Sequence, residues 1–203
     1  MSKFALATIA LACAAAAPLS AQAQAMDAGG PFMMRVRAVY IDPANRDDTN
    51  LGLGLGVSTK TIPEVDFSYF ITPNIATELI LTYPQGLDVT SNGSKVGSLK
   101  ALPPTLTLQY HFAPNSSFRP YVGAGLNFTN YSSVSLPPGV TLSSNSTGWA
   151  VQAGADIEIG KNLYLNVDVK KVAMSTGVYV SGASHGTLNV DPVLIGVGVG
   201  FHF

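Results

Sequence analysis

Apolar and polar side chains alternate with a period of two along most of this chain. Between residues 62 and 71, for example, Val65, Phe67 and Tyr69 occupy every second position, and mostly polar side chains stand between them. Because successive side chains of a β-strand point to opposite faces, this alternation predicts strands with one apolar and one mostly polar face. The eight segments with this pattern are residues 32–42, 62–71, 74–83, 103–113, 118–130, 148–160, 162–174 and 190–203.

The connections between these segments alternate between short and long. The short ones carry turn residues such as Pro73-Asn74 and Pro114-Asn115, and the long ones are rich in Gly, Ser, Asn and Thr. This order is typical of outer-membrane barrels, in which closure leaves no strand edge unpaired in lipid. The sequence therefore predicts an all-β fold: an eight-stranded antiparallel transmembrane β-barrel with short periplasmic turns and long extracellular loops. The short connections are residues 72–73, 114–117 and 160–161, and the long ones are residues 43–61, 84–102, 131–147 and 175–189.

The aromatic residues on the apolar faces fall into two groups near the two ends of the predicted strands. Amphipathic rings prefer the two interfaces of a bilayer, so two such girdles favour a membrane barrel. The alternative is a water-soluble β-sandwich or lipocalin-like barrel, which packs its aromatic side chains inside and leaves its charged face in water. The outer girdle comprises Tyr40, Tyr83, Phe128 and Trp149, and the inner one comprises Phe67, Tyr69, Tyr110, Phe112, Phe201 and Phe203.

The N-terminus has the features of an export signal. A short basic start with Lys3 precedes an apolar, Ala-rich run, and small residues at alternate positions follow. We predict that residues 1–25 are a secretory signal peptide, cleaved after Ala23 or Ala25, and that residues 26–203 form the barrel in the cell outer membrane of a Gram-negative bacterium. A transmembrane anchor is the alternative, but the run is short for a bilayer. The only cysteine, Cys13, lies in this signal, so the mature chain is predicted to have no disulfide.

Composition excludes several classes of partner. Only 11% of the residues are charged and the net charge is −1, which argues against nucleic acid as a partner, since phosphate binding needs clustered Lys and Arg. The histidines, His111, His185 and His202, show no metal-ligand spacing, and no nucleophile, base and orienting residue stand together. We therefore predict no enzyme, no cofactor and no metal. An enzyme that acts on lipid through His111 is a weaker hypothesis. The run from Gly52 to Gly56 lacks the features of a phosphate-binding loop and is interpreted as a mobile apolar loop.

The inward face of the predicted barrel divides into a charged and an apolar part. Buried charges must pair or hydrate, so the periplasmic half is expected to form a salt-bridged floor below an apolar upper pocket. Eight strands enclose room for side chains or one small ligand, which excludes a wide aqueous pore. Two interpretations remain open: the charges simply fill a narrow lumen, or the apolar part admits a small hydrophobic molecule. The predicted charge network comprises Arg35, Arg37, Glu64, Asp66, Glu78, Asp156, Glu158, Asp168 and Lys170, and the apolar lining comprises Val39, Ile41, Ile62, Ile80, Val172, Met174 and Leu194.

Several segments spread over the predicted barrel form recognisable motifs. The most specific is Phe118-Arg119-Pro120-Tyr121-Val122-Gly123-Ala124-Gly125-Leu126-Asn127, and others are Leu102-Pro103-Pro104-Thr105-Leu106, Gly148-Trp149-Ala150 and the terminal Gly200-Phe201-His202-Phe203. In these segments the chain resembles the OmpW family of outer-membrane proteins. The resemblance implies an eight-stranded barrel with a hydrophobic channel that is reached from outside. It links the chain to uptake of small apolar compounds, with lateral exit into the membrane as a proposed route.

The resemblance also implies a role for two residues at the channel floor. In the family's best-studied type two bulky apolar residues narrow the floor; one position matches Ile80, and the other, a Trp there, matches Lys170. The departure suggests a Lys170–carboxylate pair in place of a hydrophobic gate.

Two functions are thus open. The first is a passive outer-membrane channel for small hydrophobic molecules, and the alternative is a non-transporting structural or receptor-type barrel whose loops bind surface partners. The expected partners are outer-membrane lipid, a small hydrophobic ligand or detergent, and the barrel-assembly machinery during insertion.

Overall fold

The computed structural model describes residues 30–203, so the predicted signal peptide and its cleavage site lie outside the described residues. The chain forms antiparallel β-strands joined by turns, and no helix within residues 30–203 is long and apolar enough to cross a membrane. The strands are β1 (Phe32–Asp42), β2 (Arg46–Thr49), β3 (Leu55–Val57), β4 (Lys60–Thr72), β5 (Ile75–Leu81), β6 (Gln85–Ser91), β7 (Ser94–Leu102), β8 (Thr105–His111), β9 (Phe118–Ser135), β10 (Val140–Leu142), β11 (Asn145–Gly160), β12 (Leu163–Val172), β13 (Ser175–Val180), β14 (Ala183–Asn189) and β15 (Val193–His202).

Eight of these strands close into a barrel. Their spatial order is β1, β4, β5, β8, β9, β11, β12 and β15, and β15 pairs again with β1. At the closing seam the backbone N–H of Phe32 donates to the carbonyl of Phe203 at 3.0 Å, and the N–H of Phe203 donates back at 2.7 Å. Both ends of the described chain therefore lie at the end with the short turns. The prediction of an eight-stranded antiparallel barrel is confirmed, with strand ends that differ by a few residues.

The long connections contain seven strands that the alternation pattern does not predict. β2, β10, β13 and β14 form a separate four-stranded sheet, and β3, β6 and β7 extend the barrel sheet beyond β9. Two-residue turns with positive φ at both positions, Asn92-Gly93 and Ser181-Gly182, join the hairpins of these sheets, as type I′ turns require. The Gly-rich run also joins this structure, because Leu55 and Gly56 belong to β3 and the Asn45 amide binds both the N–H and the carbonyl of Val57 at 2.8 Å.

Asp47, in the extracellular strand β2, helps to hold these connections together. Its carboxylate accepts hydrogen bonds from the Thr49 hydroxyl at 2.6 Å and from the backbone N–H of Leu55 at 2.8 Å. Burial alone would raise the pKa of Asp47, but these hydrogen bonds outweigh it and lower the pKa below its usual value. The carboxylate therefore ties β2 to β3 in its charged form.

The outer surface of the barrel is an apolar belt between two aromatic girdles. On β8 and β9, for instance, Leu106, Leu108 and Leu126 are each more than half exposed. An apolar surface of this extent is unfavourable in water. All ten predicted girdle residues are also exposed on the outside, where Trp149 is 52% exposed and Phe112 is 57% exposed. The inward positions of the same strands are buried, so the predicted assignment of faces is the one the structure shows.

Candidate functional site

The lower lumen is filled by a cluster of buried charges centred on two arginines of β1. Arg35 is fully buried and forms a two-point contact with Asp156, with Nη2 to Oδ2 at 2.6 Å and Nε to Oδ1 at 3.0 Å. Its Nη1 donates to the Ser68 hydroxyl at 2.8 Å and to Asp66 at 3.2 Å. One guanidinium thus joins β1, β4 and β11 across the barrel, and its planar fork suits this bidentate pairing.

Arg37 stands two positions above Arg35 on the same inward face. Its Nη2 lies 2.7 Å from Asp66 Oδ2 and 3.3 Å from Glu78 Oε1, and its Nε lies 3.1 Å from Glu64 Oε1. The two arginines therefore share Asp66 and Glu78, which makes the cluster one connected network. Sharing matters energetically because a buried charge that loses its only partner is strongly destabilising.

Neutral polar side chains complete this network. Gln152 Nε2 donates to Glu78 Oε2 at 2.7 Å, Asn166 Nδ2 donates to Asp156 Oδ1 at 2.8 Å, and the Tyr121 hydroxyl donates to Asp168 Oδ2 at 2.9 Å. The sequence reasoning missed these partners because it considered charged residues only. Their inward position could have been predicted from the sequence, since each stands on the inward-facing side of its strand.

Glycines on β15 make the room that the two arginines need. Arg35, Arg37 and Val39 pair across the closing seam with Gly200, Gly198 and Gly196. A Cβ at Gly200 would lie 3.1 Å from Arg35 Cγ, and one at Gly196 would lie 3.3 Å from Arg37 Cδ. The long stems can therefore lean over the neighbouring strand β15, because the glycines there carry no side chains.

Lys170, at the top of the cluster, is 2% exposed. Its Nζ lies 3.5 Å from Glu64 Oε1 and 3.9 Å from Asp168 Oδ1, whereas each arginine has at least one carboxylate contact of 2.7 Å or less. The pairing with a carboxylate that the Lys170 departure suggested is thus present in the structure, and the ammonium forms the boundary between the charged floor and the space above it.

Glu158 is a correction to the predicted network. It follows Asp156 on the inward parity of β11, but it lies at the periplasmic rim, where the pairing with β12 shifts register. Its side chain is 41% exposed, and its Oε2 lies 4.0 Å from Arg119 Nη2. Because strand alternation gives the face and not the depth, the sequence placed Glu158 in a cluster from which it is separated.

His111 lies below the cluster, beside a periplasmic vestibule. Its ring packs 4.9 Å from Phe70 and 5.1 Å from Tyr121, and its Nε2 lies 3.1 Å from Gln109 Oε1. No group of three or more His, Cys, Asp or Glu side chains within residues 30–203 is placed to hold a metal ion. His111 therefore has an aromatic and amide environment in this structure.

An apolar cavity lies above the floor. It encloses about 700 Å³, solvent at its mouth included, and all seven predicted apolar residues line it. Val57, Leu87 and Ala101 line it as well; they lie in segments that were predicted to be loops, and so they escaped prediction. Val190, in the predicted strand 190–203, also lines the cavity. These side chains continue upward into an apolar cluster that includes Leu99 and Leu188. The polar residues of the lining are Glu64, Thr82, Gln85, Thr105, Asn127 and Lys170.

The barrel wall has an interrupted seam beside this cavity. Pairing between β4 and β5 ends at Val65 and Leu81, and within residues 30–203 no backbone hydrogen bond joins segment 60–64 to segment 82–87. Pro63 has no N–H to donate there. Side chains bridge the seam instead: the Thr82 hydroxyl donates to Pro63 O at 3.1 Å, and Lys60 Nζ donates to Gly86 O at 2.7 Å.

Comparison with known proteins agrees with this architecture. The chain is 38% identical over 209 residues to the uncharacterized outer-membrane protein y4mB of Sinorhizobium fredii, covering 95% of this chain and 91% of the relative. It is 26% identical over 147 residues to the dibenzothiophene metabolism operon protein DoxH of a Pseudomonas species, covering 68% and 69%.

The fold is also similar to solved barrels. The crystal structure of the outer membrane protein OprG from Pseudomonas aeruginosa matches with a TM-score of 0.73 and 25% identity, covering 86% of this chain and 96% of that one. The sequence model of the OmpW family matches residues 28–203. The barrel therefore lies in the outer membrane of a Gram-negative bacterium, and the chain belongs to the OmpW family.

Proposed function

We propose that this protein is a passive channel through which small hydrophobic molecules cross the outer leaflet and reach the membrane interior. The molecule enters the upper cavity from the extracellular end and leaves sideways through the seam between segments 60–64 and 82–87. The observation that carries this proposal is an apolar cavity that ends below on a buried charge cluster and borders, at one side, an unpaired stretch of wall. No energy source is needed, since the concentration gradient drives the movement.

The charged floor opposes an axial route. The side chains of Arg35, Arg37, Asp66 and Glu78 have no solvent-exposed area. An apolar molecule passing between them would separate buried ion pairs that it cannot replace, and loss of such a partner costs about 3–5 kcal/mol.

The seam offers a lower barrier. Two side-chain hydrogen bonds bridge it, from Thr82 and Lys60, and a hydrogen bond contributes about 0.5–1.5 kcal/mol net, or about 1.5–3 kcal/mol when one partner is charged. Ile62 and Glu64 on one side of the seam, and Thr82 and Gln85 on the other, face the cavity. The same opening would therefore connect the cavity with lipid.

The relatives support this substrate class. DoxH is named for the metabolism of dibenzothiophene, a fused-ring compound without charged groups. Such a compound has the apolar character that the lining of this cavity has.

The proposal can be tested by following an apolar fluorescent probe, N-phenyl-1-naphthylamine, into Gram-negative cells that carry the protein. We expect wild-type protein to accelerate uptake and Ile80→Asp or Val172→Asp to abolish the increase, because each charge would stand in the apolar cavity. Unchanged uptake in both variants would reject the channel.

The route of exit needs a separate experiment. Cysteines at Pro63 and Thr82, joined by a bifunctional thiol reagent, would lock the seam. The matched control joins cysteines at Phe67 and Leu79, which pair on the same two strands below the seam. We expect the first cross-link to stop uptake and the second to leave it unchanged. Full uptake with the seam locked would contradict lateral exit.

A non-transporting barrel with binding loops is the second candidate. It is favoured by the separate extracellular sheet of β2, β10, β13 and β14, which forms a folded surface rather than short connections. Removal of the β13–β14 hairpin separates the two functions: loss of surface binding with unchanged probe uptake would assign the sheet to binding and the barrel to transport.

A further inference from the structure

Gln85 has an unusual position in the wall of the upper cavity. It begins β6, is 2% exposed and lines the cavity beside the seam. Its Nε2 donates to Tyr83 O at 3.1 Å and to the Thr82 hydroxyl at 3.2 Å. Because a backbone carbonyl only accepts hydrogen bonds, this contact fixes which end of the amide faces Tyr83.

The other end of the amide, Oε1, is buried and has no hydrogen-bond partner among the described residues. A buried acceptor without a donor costs about 1–3 kcal/mol, and most such groups in folded proteins do find a partner. Because Gln85 lines the cavity, its Oε1 is an acceptor in the cavity wall that no described residue uses.

The charges at the cavity floor restrict the kind of donor. Glu64 lines the cavity, and the cluster below contains three cations, Arg35, Arg37 and Lys170, against five carboxylates. A carboxylate ligand would meet this excess of negative charge. An ammonium ligand would have to leave water for an apolar lining, which is costly for any ion without a dedicated partner. A neutral donor has neither cost.

We propose that Gln85 selects, among small hydrophobic molecules, those that carry a neutral hydrogen-bond donor such as an alcohol or phenol hydroxyl. The inference rests on the proposed function, since it assigns a preference to the same cavity. It predicts that the hydroxyl is held beside Oε1 and that the apolar body of the ligand contacts Ile62, Ile80 and Leu87.

A matched pair of ligands tests this preference: 1-naphthol and 1-methylnaphthalene differ by a hydroxyl in place of a methyl group. Binding of each to the protein in lipid nanodiscs is measured against empty nanodiscs, which corrects for partition into lipid. The ratio of the two dissociation constants is then compared between wild type and Gln85→Met, which keeps the length of the side chain and removes the acceptor. We expect Gln85→Met to reduce the preference for 1-naphthol about three- to ten-fold, the range that one neutral hydrogen bond supplies.

Ile62→Leu is the control, because it reshapes the apolar wall without touching the acceptor; it should change both affinities alike. A second readout needs no variant: the side-chain amide signals of Gln85 in the NMR spectrum should shift with 1-naphthol and much less with 1-methylnaphthalene.

The outcomes separate the inference from the function on which it rests. If both ligands bind in the cavity, so that Ile80→Asp abolishes their binding, and the ratio stays the same in Gln85→Met, the role of Gln85 is overturned and the channel stands. If neither ligand binds above the level of empty nanodiscs, the proposed channel and the preference are both rejected.

Discussion

Replacing Arg35 with Met should destabilise the barrel strongly. The substitution keeps an unbranched stem but removes the guanidinium, and with it the contacts to Asp156, Asp66, Glu78 and Ser68 at 2.6–3.4 Å. Asp156 loses its two-point contact with the guanidinium, while Asp66 and Glu78 keep Arg37. Leaving a buried charge without its partner costs about 3–5 kcal/mol, and we expect a loss of that size in the free energy of unfolding.

The measurement is urea unfolding in phospholipid vesicles, followed by the fluorescence of Trp149, the only tryptophan in the chain. Lys95→Met is the control: its ion pair with Asp88 has the same kind of contact, 2.7 Å, but lies on the surface, so its loss should stay within about 0.5 kcal/mol. Adding Asp156→Leu to Arg35→Met should recover a large part of the loss, because it removes the uncompensated charge. A cost for Arg35→Met no larger than that for Lys95→Met would refute the reasoning.

Three further expectations follow from the structure. Gly198→Ala should impair assembly of the barrel, because a Cβ at this position would lie 2.0 Å from Val36 O; the measurement is loss of the heat-modifiable band in electrophoresis. Gly86→Ala is the control and should assemble normally, because a Cβ there would have no atom within 4 Å. Because folding lowers the pKa of Asp47, its carboxylate stabilises β2 and β3 fully when the pH is above 3.8, the usual pKa of the group, and this stabilisation is lost as the pH falls through the lower pKa of the folded state. Backbone amides of β2 and β3 should therefore exchange hydrogen more slowly in the wild type than in Asp47→Asn at pH 7, and this difference should vanish in acid. Trp149 should be quenched more by lipids labelled near the headgroup than by lipids labelled near the chain end, and the reverse order would contradict its place in the outer girdle.

The barrel could be predicted from the sequence because the pattern that indicates its strands lies within short stretches of the chain. A period of two gives the face of every residue on a strand, and the lipid-facing side of β8 is apolar at each alternate position from Leu106 to Tyr110. The depth of a residue along the barrel axis cannot be predicted from such a stretch, since it depends on where the strands end and on their register. Glu158 shows the consequence: its inward face was predicted correctly, but it lies at the periplasmic rim, where its side chain is 41% exposed.

The extracellular strands escaped prediction for another reason. Their alternation is short and is interrupted by Gly, Ser and Asn, so the composition resembled that of loops. The two-residue turn Asn92-Gly93 was a readable hairpin signal inside one of those segments. Because that segment was read as a loop, Gln85 and Leu87 were not recognised as residues of the cavity wall.

The position of the cavity follows from side-chain volume along a barrel of constant strand number. In the lower half, Arg35 and Arg37 fill the lumen because Gly200 and Gly196 on β15 leave space for their stems. One step higher the inward residue of β1 becomes Val39, which faces Gly196 and is too short to reach across. The inward residues of β1 above Arg37, Val39 and Ile41, leave the lumen unfilled at this level, and their apolar side chains gain nothing from water. The same strand pair, β1 and β15, therefore contributes to both the closed floor and the hydrophobic cavity, and the lateral route proposed above avoids the part of the lumen that the arginines fill.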